Sequence, residues 1–145
     1  MRAVFRWWAV LVFATVLLQI AFAGYGAFYT VDKAADPPKL ITNHGVDHGW
    51  ALHQFGYVVI LLGILLVPIA FAAGVDRMYR RWSIVIAGLL VLQFLLVILG
   101  WVWAPLGFLH PLNAIAIAAV TGILARRVWQ GVPVDAPVAP NVGIG

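Results

Sequence analysis

The sequence predicts an all-α fold, a membrane-embedded up-down four-helix bundle, and three observations support that prediction. First, 64% of the 145 residues are hydrophobic and only 10% are charged, whereas soluble domains are about half apolar and about a quarter charged. Second, the chain contains four apolar runs that are each long enough to cross a bilayer as a helix. Third, all seven arginines fall on one side of a bilayer if the chain crosses it four times.

The four apolar runs define one transmembrane domain over residues 1–129. Lipid offers no hydrogen bonds to a bare backbone, so each run must be a helix. The predicted helices cover residues 7–29, 50–73, 82–104 and 108–129. Residues 130–145 are rich in Pro, Gly and Val and nearly uncharged, which predicts a flexible cytoplasmic tail.

The charge distribution predicts how the chain is oriented. Arginines precede the first run, separate the second from the third and follow the fourth, whereas the opposite side carries only Lys33 and Lys39. Because positive residues concentrate in cytoplasmic segments, both termini are expected in the cytoplasm. We therefore expect a multi-pass protein of the bacterial cytoplasmic (inner) membrane, with the lipid bilayer as its first partner.

The first run also resembles a secretory signal peptide. Ala21, Phe22 and Ala23 form a cleavage box that follows an apolar segment with arginines before it. The apolar character continues beyond this box through Phe28, which favours a transmembrane helix. Cleavage after residue 23 stays open as the alternative.

The composition excludes several kinds of chemistry. The chain has no cysteine, which removes disulfides, thiolate ligands, iron–sulfur clusters and c-type haem attachment. The formal charge of +4 comes from arginines at the ends of apolar runs, so we interpret it as a topology signal and expect no nucleic-acid partner. The first and third runs carry no charge within the membrane, which argues against an ion pump or proton relay.

Two histidines stand at the entrances of the second and fourth predicted helices. His53 lies in the first or second turn of helix two, and His110 lies in the first turn of helix four because Pro111 fits without strain only there. Both helices descend from the same side, so the two imidazoles should lie at one depth near the outer edge. In an up-down bundle these helices are diagonal and face each other. Bis-histidine haem ligation requires this arrangement, with one Nε2 on each side of the iron.

Small and aromatic residues near these histidines could complete a haem pocket. Gly56 and Ala114 leave room beside His53 and His110, although small residues also serve plain helix packing. Tyr57 follows His53 by four residues and could flank a macrocycle. We therefore include Gly56, Tyr57 and Ala114 among the candidate cofactor-binding residues.

Amide side chains lie close to the same depth within the bundle. Gln19 and Gln93 should reach equal heights, where their amides could bond to each other, to a histidine's second nitrogen or to a ligand edge. The plainer interpretation is interhelical hydrogen bonding, worth about 0.6 kcal/mol in membranes. Asn113 follows His110 by three residues, so it could orient that imidazole or make a simple helix contact.

The remaining histidines suggest a second, weaker site. His44 and His48 are four residues apart, so in a helix both imidazoles would share one face and could bind copper or zinc, with His53 as a further ligand. Solvated loop histidines are the commoner explanation of such a pair. Asp47 is a candidate N-cap of helix two because it precedes a segment that becomes helical.

Two stretches, "ALHQFGYVVILLGILL" and "LHPLNAIAIAAVTGILARR", resemble helices two and four of the four-helix half-modules of haem A synthase. They also loosely resemble other transmembrane b-type cytochromes, and small four-helix bacterial membrane proteins with the same "LHPLNA" element. In haem A synthase and the b-type cytochromes a histidine near the outer end of each helix ligates a haem, so the resemblance implies haem b held by His53 and His110. Haem A synthase, however, has eight helices and an acidic residue shortly before the first histidine. Here Trp50 and Ala51 occupy those positions, so haem hydroxylation is not expected.

Three hypotheses about the function follow, each from a different class of protein. The first is a b-type membrane cytochrome that exchanges electrons with a quinone or a larger membrane redox complex. The second is a non-enzymatic accessory or structural membrane subunit without a cofactor, and the third is an outer-face copper or zinc protein. Gly24, Gly26, Gly88 and Gly100 could serve internal packing or dimerisation, so a homo-oligomer is left open.

Overall fold

The computed structural model describes residues 1–34 and 43–130, and within these ranges the protein is all-helical. The helices are α1 (Arg2–Asp32), α2 (Asn43–His53), α3 (Phe55–Ala72), α4 (Arg77–Val102), α5 (Ala104–Gly107) and α6 (Leu109–Trp129). They form four stretches that are long and apolar enough to cross a membrane: α1, α2 with α3, α4, and α5 with α6. The predicted tail lies outside the described residues except for Gln130.

The four spans form an up-down bundle. The first span, α1, packs against α2, α3 and α6, and the third span, α4, packs against α3 and α6. No backbone contact joins α3 to α6 or α1 to α4 among the described residues. The second and fourth spans therefore occupy one diagonal of the bundle, and the first and third occupy the other.

One buried stripe from each span forms the core. Phe5, Val12, Leu66, Ile86 and Ile117 are all 2% exposed or less. They alternate with exposed apolar residues at helical spacing, so each span is apolar on its outer face as well as on its inner face. Helices that are hydrophobic all round suit an apolar solvent.

The two ends of the bundle differ in composition. The arginine end carries Arg2, Arg6, Arg77, Arg80, Arg81, Arg126 and Arg127. There Asp76 caps α4, since its Oδ1 accepts a hydrogen bond from the backbone N–H of Met78 at 3.0 Å. The histidine end is the opposite end and carries His44, His48, His53 and His110.

Glycines allow the closest helix approaches at the histidine end. A Cβ on Gly26 would stand 2.8 Å from the backbone oxygen of Gly49, so α1 and α2 touch along their backbones there. A Cβ on Gly100 would stand 2.9 Å from the Cα of Gly107. By contrast, a Cβ on Gly24 would meet nothing within 4 Å.

All four spans begin earlier than the predicted apolar runs. The first begins at Arg2 rather than residue 7 and passes unbroken through residues 21–23. The second begins at Asn43 rather than residue 50 and is interrupted at Gln54. The N-cap prediction for Asp47 is therefore wrong, because Asp47 lies inside α2. Apolar runs mark only the part of a helix that suits hydrocarbon, whereas backbone hydrogen bonding continues through the polar residues at its ends.

Candidate functional site

A cavity of about 290 Å³ lies between the spans at the histidine end. All four spans contribute to its wall, which is apolar except for a few amide and imidazole groups. Its volume is at the lower end of the range for ligand pockets. Seven residues that the sequence singled out line this cavity: Gln19, His53, Gly56, Tyr57, Gln93, His110 and Ala114.

His53 and His110 lie close to each other in the wall of this cavity. Their ring centroids are 5.9 Å apart, and the ring planes are inclined by 52°. Both side chains are half-buried. His53 is the last residue of α2, in the second span, and His110 is the second residue of α6, in the fourth span. These two spans lie on one diagonal of the bundle.

A single residue of α4 holds both ring nitrogens of His110. The Nδ1 atom lies 3.2 Å from the backbone oxygen of Gln93, and Nε2 lies 3.1 Å from the side-chain Nε2 of the same residue. The Gln93 amide is held in turn by Asn113, whose Nδ2 donates to Gln93 Oε1 at 2.7 Å. Asn113 Nδ2 also donates to the backbone oxygen of Leu89 at 2.9 Å. Asn113 is buried behind the cavity wall and does not line the cavity.

A glutamine of α1 holds His53 differently. Gln19 Nε2 donates to the backbone oxygen of His53 at 3.0 Å and lies 3.4 Å from His53 Nδ1. The His53 carbonyl needs this partner because the helix is broken beside it. The N–H of Tyr57 donates to the oxygen of Gln54 instead, at 3.0 Å. Gln19 Oε1 is buried without a hydrogen-bond partner.

Aromatic rings border the cavity between the second and third spans. Trp50 and Trp101 have centroids 5.4 Å apart, and the Tyr57 and Phe94 centroids are 6.1 Å apart. All four side chains are exposed while also lining the cavity. The cavity therefore opens sideways at these pairs. Trp50 also lies beside His53, with centroids 5.8 Å apart.

Sequence reasoning missed Trp50 and Phe94 as cavity residues. Trp50 precedes His53 by three residues, a spacing that places two side chains on one helix face and could have indicated it. Phe94 lies in an apolar run with no feature that separates its cavity face from its outer face.

In the described part of the chain, no third potential ligand joins His44 and His48 at the weaker metal site. Both residues are on α2, as that interpretation requires, and both are exposed. They lie against Tyr29: the His48 ring centroid is 4.3 Å from that of Tyr29, and His44 Nε2 is 3.4 Å from its hydroxyl. Among residues 1–34 and 43–130, no three His, Cys, Asp or Glu side chains form a group that could hold a metal ion. Copper or zinc binding there stays a prediction.

Comparison with models of known protein families, with curated proteins and with solved structures finds no match to this chain. The resemblance to the half-modules of haem A synthase therefore also stays a prediction.

Proposed function

We propose that the chain is a multi-pass protein of the bacterial inner membrane that binds one b-type haem at the histidine end and transfers electrons. The membrane part rests on the four candidate spans and on their apolar outer faces. Leu61, Leu95 and Ile115 are typical of these faces, with 57%, 46% and 65% of their surface exposed. The seven arginines at one end support cytoplasmic termini, because positive residues concentrate in cytoplasmic segments.

The observation that carries the haem proposal is the placement of His53 opposite His110. Two imidazoles bound to opposite sides of one metal ion have centroids about 6 Å apart, because each metal–nitrogen bond is about 2 Å long. The observed separation of 5.9 Å is close to that value. The cavity that both rings line is mostly apolar, which suits a porphyrin.

The hydrogen-bond partner of one of the two histidines, His110, also fits this use. Ligating imidazoles generally donate their other ring N–H to a carbonyl or carboxylate oxygen. His110 has such an acceptor in the backbone oxygen of Gln93. At His53 the nearest atom to Nδ1 is an amide nitrogen, but the partnerless Oε1 of Gln19 belongs to the same amide. Rotation of that amide by half a turn would turn Oε1 towards the backbone oxygen of His53, which only accepts, so Nε2 keeps its place and Nδ1 of His53 gains no such acceptor from Gln19.

Each residue of the site then has a defined task. A bound haem would supply an iron that gains and loses one electron. His53 and His110 would hold it, and the apolar walls would keep water away, which tunes its potential. The exposed Trp50–Trp101 and Tyr57–Phe94 pairs lie on the side from which a membrane quinone or a larger redox complex would approach.

A second candidate function is an accessory membrane subunit without a cofactor. One observation favours it: Gln93 already occupies both ring nitrogens of His110, so this imidazole needs no ligand to be satisfied. In that case the polar groups would serve to hold the spans in register.

An absorption spectrum of the detergent-purified protein separates these two functions. A sharp Soret band that shifts on reduction with dithionite, with resolved α and β bands, is expected for low-spin haem with two strong axial ligands. The double variant His53→Ala/His110→Ala should lose this spectrum, whereas His44→Ala/His48→Ala should keep it. A flat wild-type spectrum after expression with added haem would overturn the haem proposal and leave the accessory subunit.

A further inference from the structure

The hydrogen bonds around His110 determine where its proton lies. A backbone oxygen can only accept, so Asn113 must direct its Nδ2 towards Leu89. The second hydrogen of the same Nδ2 is donated to Gln93 Oε1. Because that bond fixes the oxygen of the Gln93 amide, its nitrogen must face His110 Nε2.

An amide nitrogen can only donate, so His110 Nε2 must accept and carry no proton. Nδ1, beside the backbone oxygen of Gln93, must then carry the proton and donate it. Every bond in this chain is consistent with one neutral form of the imidazole. The opposite tautomer would place two hydrogens between Nε2 and the Gln93 amide, and would leave the Gln93 carbonyl without this donor.

We propose that Gln93 and Asn113 are positioning residues that hold His110 as the Nδ1–H tautomer, so that Nε2 is the nitrogen offered to a haem iron. This assignment of the iron-binding nitrogen rests on the proposed function, whereas the tautomer itself does not. Without a cofactor the side-chain amide of Gln93 donates to the Nε2 lone pair of His110, which a haem iron would use instead. The backbone oxygen of Gln93 accepts from Nδ1–H and would keep that bond if a haem were bound.

Two features distinguish this arrangement from an incidental contact. Gln93 contacts both nitrogens of one ring, which fixes the ring's rotation as well as its tautomer. Asn113 is only 8% exposed and uses both of its Nδ2 hydrogens, one on Leu89 and one on Gln93. Residues that orient a metal-binding imidazole typically affect metal affinity about 10–100-fold when they are changed.

The test uses nitrogen NMR on the full-length, haem-free protein labelled with ¹⁵N-histidine, with the His110 signals assigned from the His110→Ala variant. The expected wild-type signals are those of a protonated Nδ1 and an unprotonated Nε2. Gln93→Glu replaces the donating amide by carboxylate oxygens that only accept. We therefore expect both nitrogens of His110 to be protonated in that variant. Gln130→Glu is the matched control, because Gln130 is exposed at the arginine end and does not line the cavity, and it should leave the His110 signals unchanged.

Haem titration of the same variants tests the second half of the proposal. Gln93→Glu should bind haem about 10–100-fold more weakly than wild type, since a protonated Nε2 cannot ligate iron. Gln130→Glu should bind as wild type does. If Gln93→Glu does not fold, Asn113→Leu replaces it: loss of the Nδ2 donor should free the Gln93 amide and give mixed His110 tautomers.

The outcomes separate the two proposals. A wild-type His110 that carries its proton on Nε2 overturns the inference, whatever the haem content. The expected NMR signals with no haem binding in wild type would overturn the proposed function while supporting the tautomer. Normal haem affinity in Gln93→Glu, with His110 doubly protonated before haem addition, would show that Nε2 of His110 is not the ligand.

Discussion

Among the described residues, the imidazole centroids of His53 and His110 lie 5.9 Å apart although the spans that carry them make no backbone contact. Within residues 1–34 and 43–130, side chains alone bridge this diagonal of the bundle. Each ring is held by a glutamine from a neighbouring span, Gln19 on α1 for His53 and Gln93 on α4 for His110. The site therefore depends on all four spans, and a displacement of any one of them would change the separation of the rings.

Removal of one histidine should leave haem bound through the other. In His53→Ala and in His110→Ala we expect a high-spin spectrum, because the iron loses one strong axial ligand. Added imidazole should restore the low-spin spectrum, since the alanine leaves a space of matching size. The measurement is the visible spectrum during an imidazole titration, with His48→Ala as the control. An unchanged low-spin spectrum in either single variant would contradict the assignment of that histidine.

Much of the architecture could be predicted from the sequence. The four spans follow from the length of the apolar runs, because a helix in lipid must satisfy its own backbone. The shared height of the two rings followed from counting residues from each helix entrance. The same counting predicts equal depth for Gln19 and Gln93, and each amide lies beside a histidine.

Which amide contacts which atom of which histidine could not be predicted. Residue counting gives the height of a side chain but not the rotation of its helix, and in an apolar run no charged face indicates that rotation. The interruption at Gln54 could not be predicted either. It leaves the His53 carbonyl without its partner in the helix, and the replacement donor, Gln19, is on α1. Asn113 is a comparable case, since its two acceptors lie on another helix, at Leu89 and Gln93.

The contact between α1 and α2 should be sensitive to a single methyl group. In Gly26→Ala the new Cβ would stand 2.8 Å from the backbone oxygen of Gly49, and a backbone cannot move aside cheaply. We expect a loss of about 1–3 kcal/mol in the free energy of unfolding, measured by SDS titration in mixed micelles. Gly24→Ala is the matched control, because its Cβ would meet nothing within 4 Å and alanine favours the helix. Equal stability of the two variants would argue against the close approach.

The cap of α4 should contribute measurably to stability. Asp76→Ala removes the acceptor for the Met78 N–H, which lies 3.0 Å from Oδ1. Loss of an N-cap typically costs about 0.5–2 kcal/mol. Asp76→Asn keeps an acceptor without the charge and should recover most of the loss in the same SDS titration. Asp47→Ala, within α2, should have little effect, and a comparable loss there would show that removal of an acidic residue, not of the cap, is responsible.

The orientation in the membrane can be tested by single cysteines, because the chain has none of its own. Val46 is 46% exposed at the histidine end, and Gln130 is exposed at the arginine end. Arginine-rich ends are retained in the cytoplasm, so Val46→Cys should react with a membrane-impermeant maleimide in intact bacterial cells. Gln130→Cys should react only after the membrane is permeabilised, and the cysteine-free parent gives the background. The reverse pattern would place the histidine end in the cytoplasm. Labelling of both variants in intact cells would contradict the three crossings expected between residues 46 and 130.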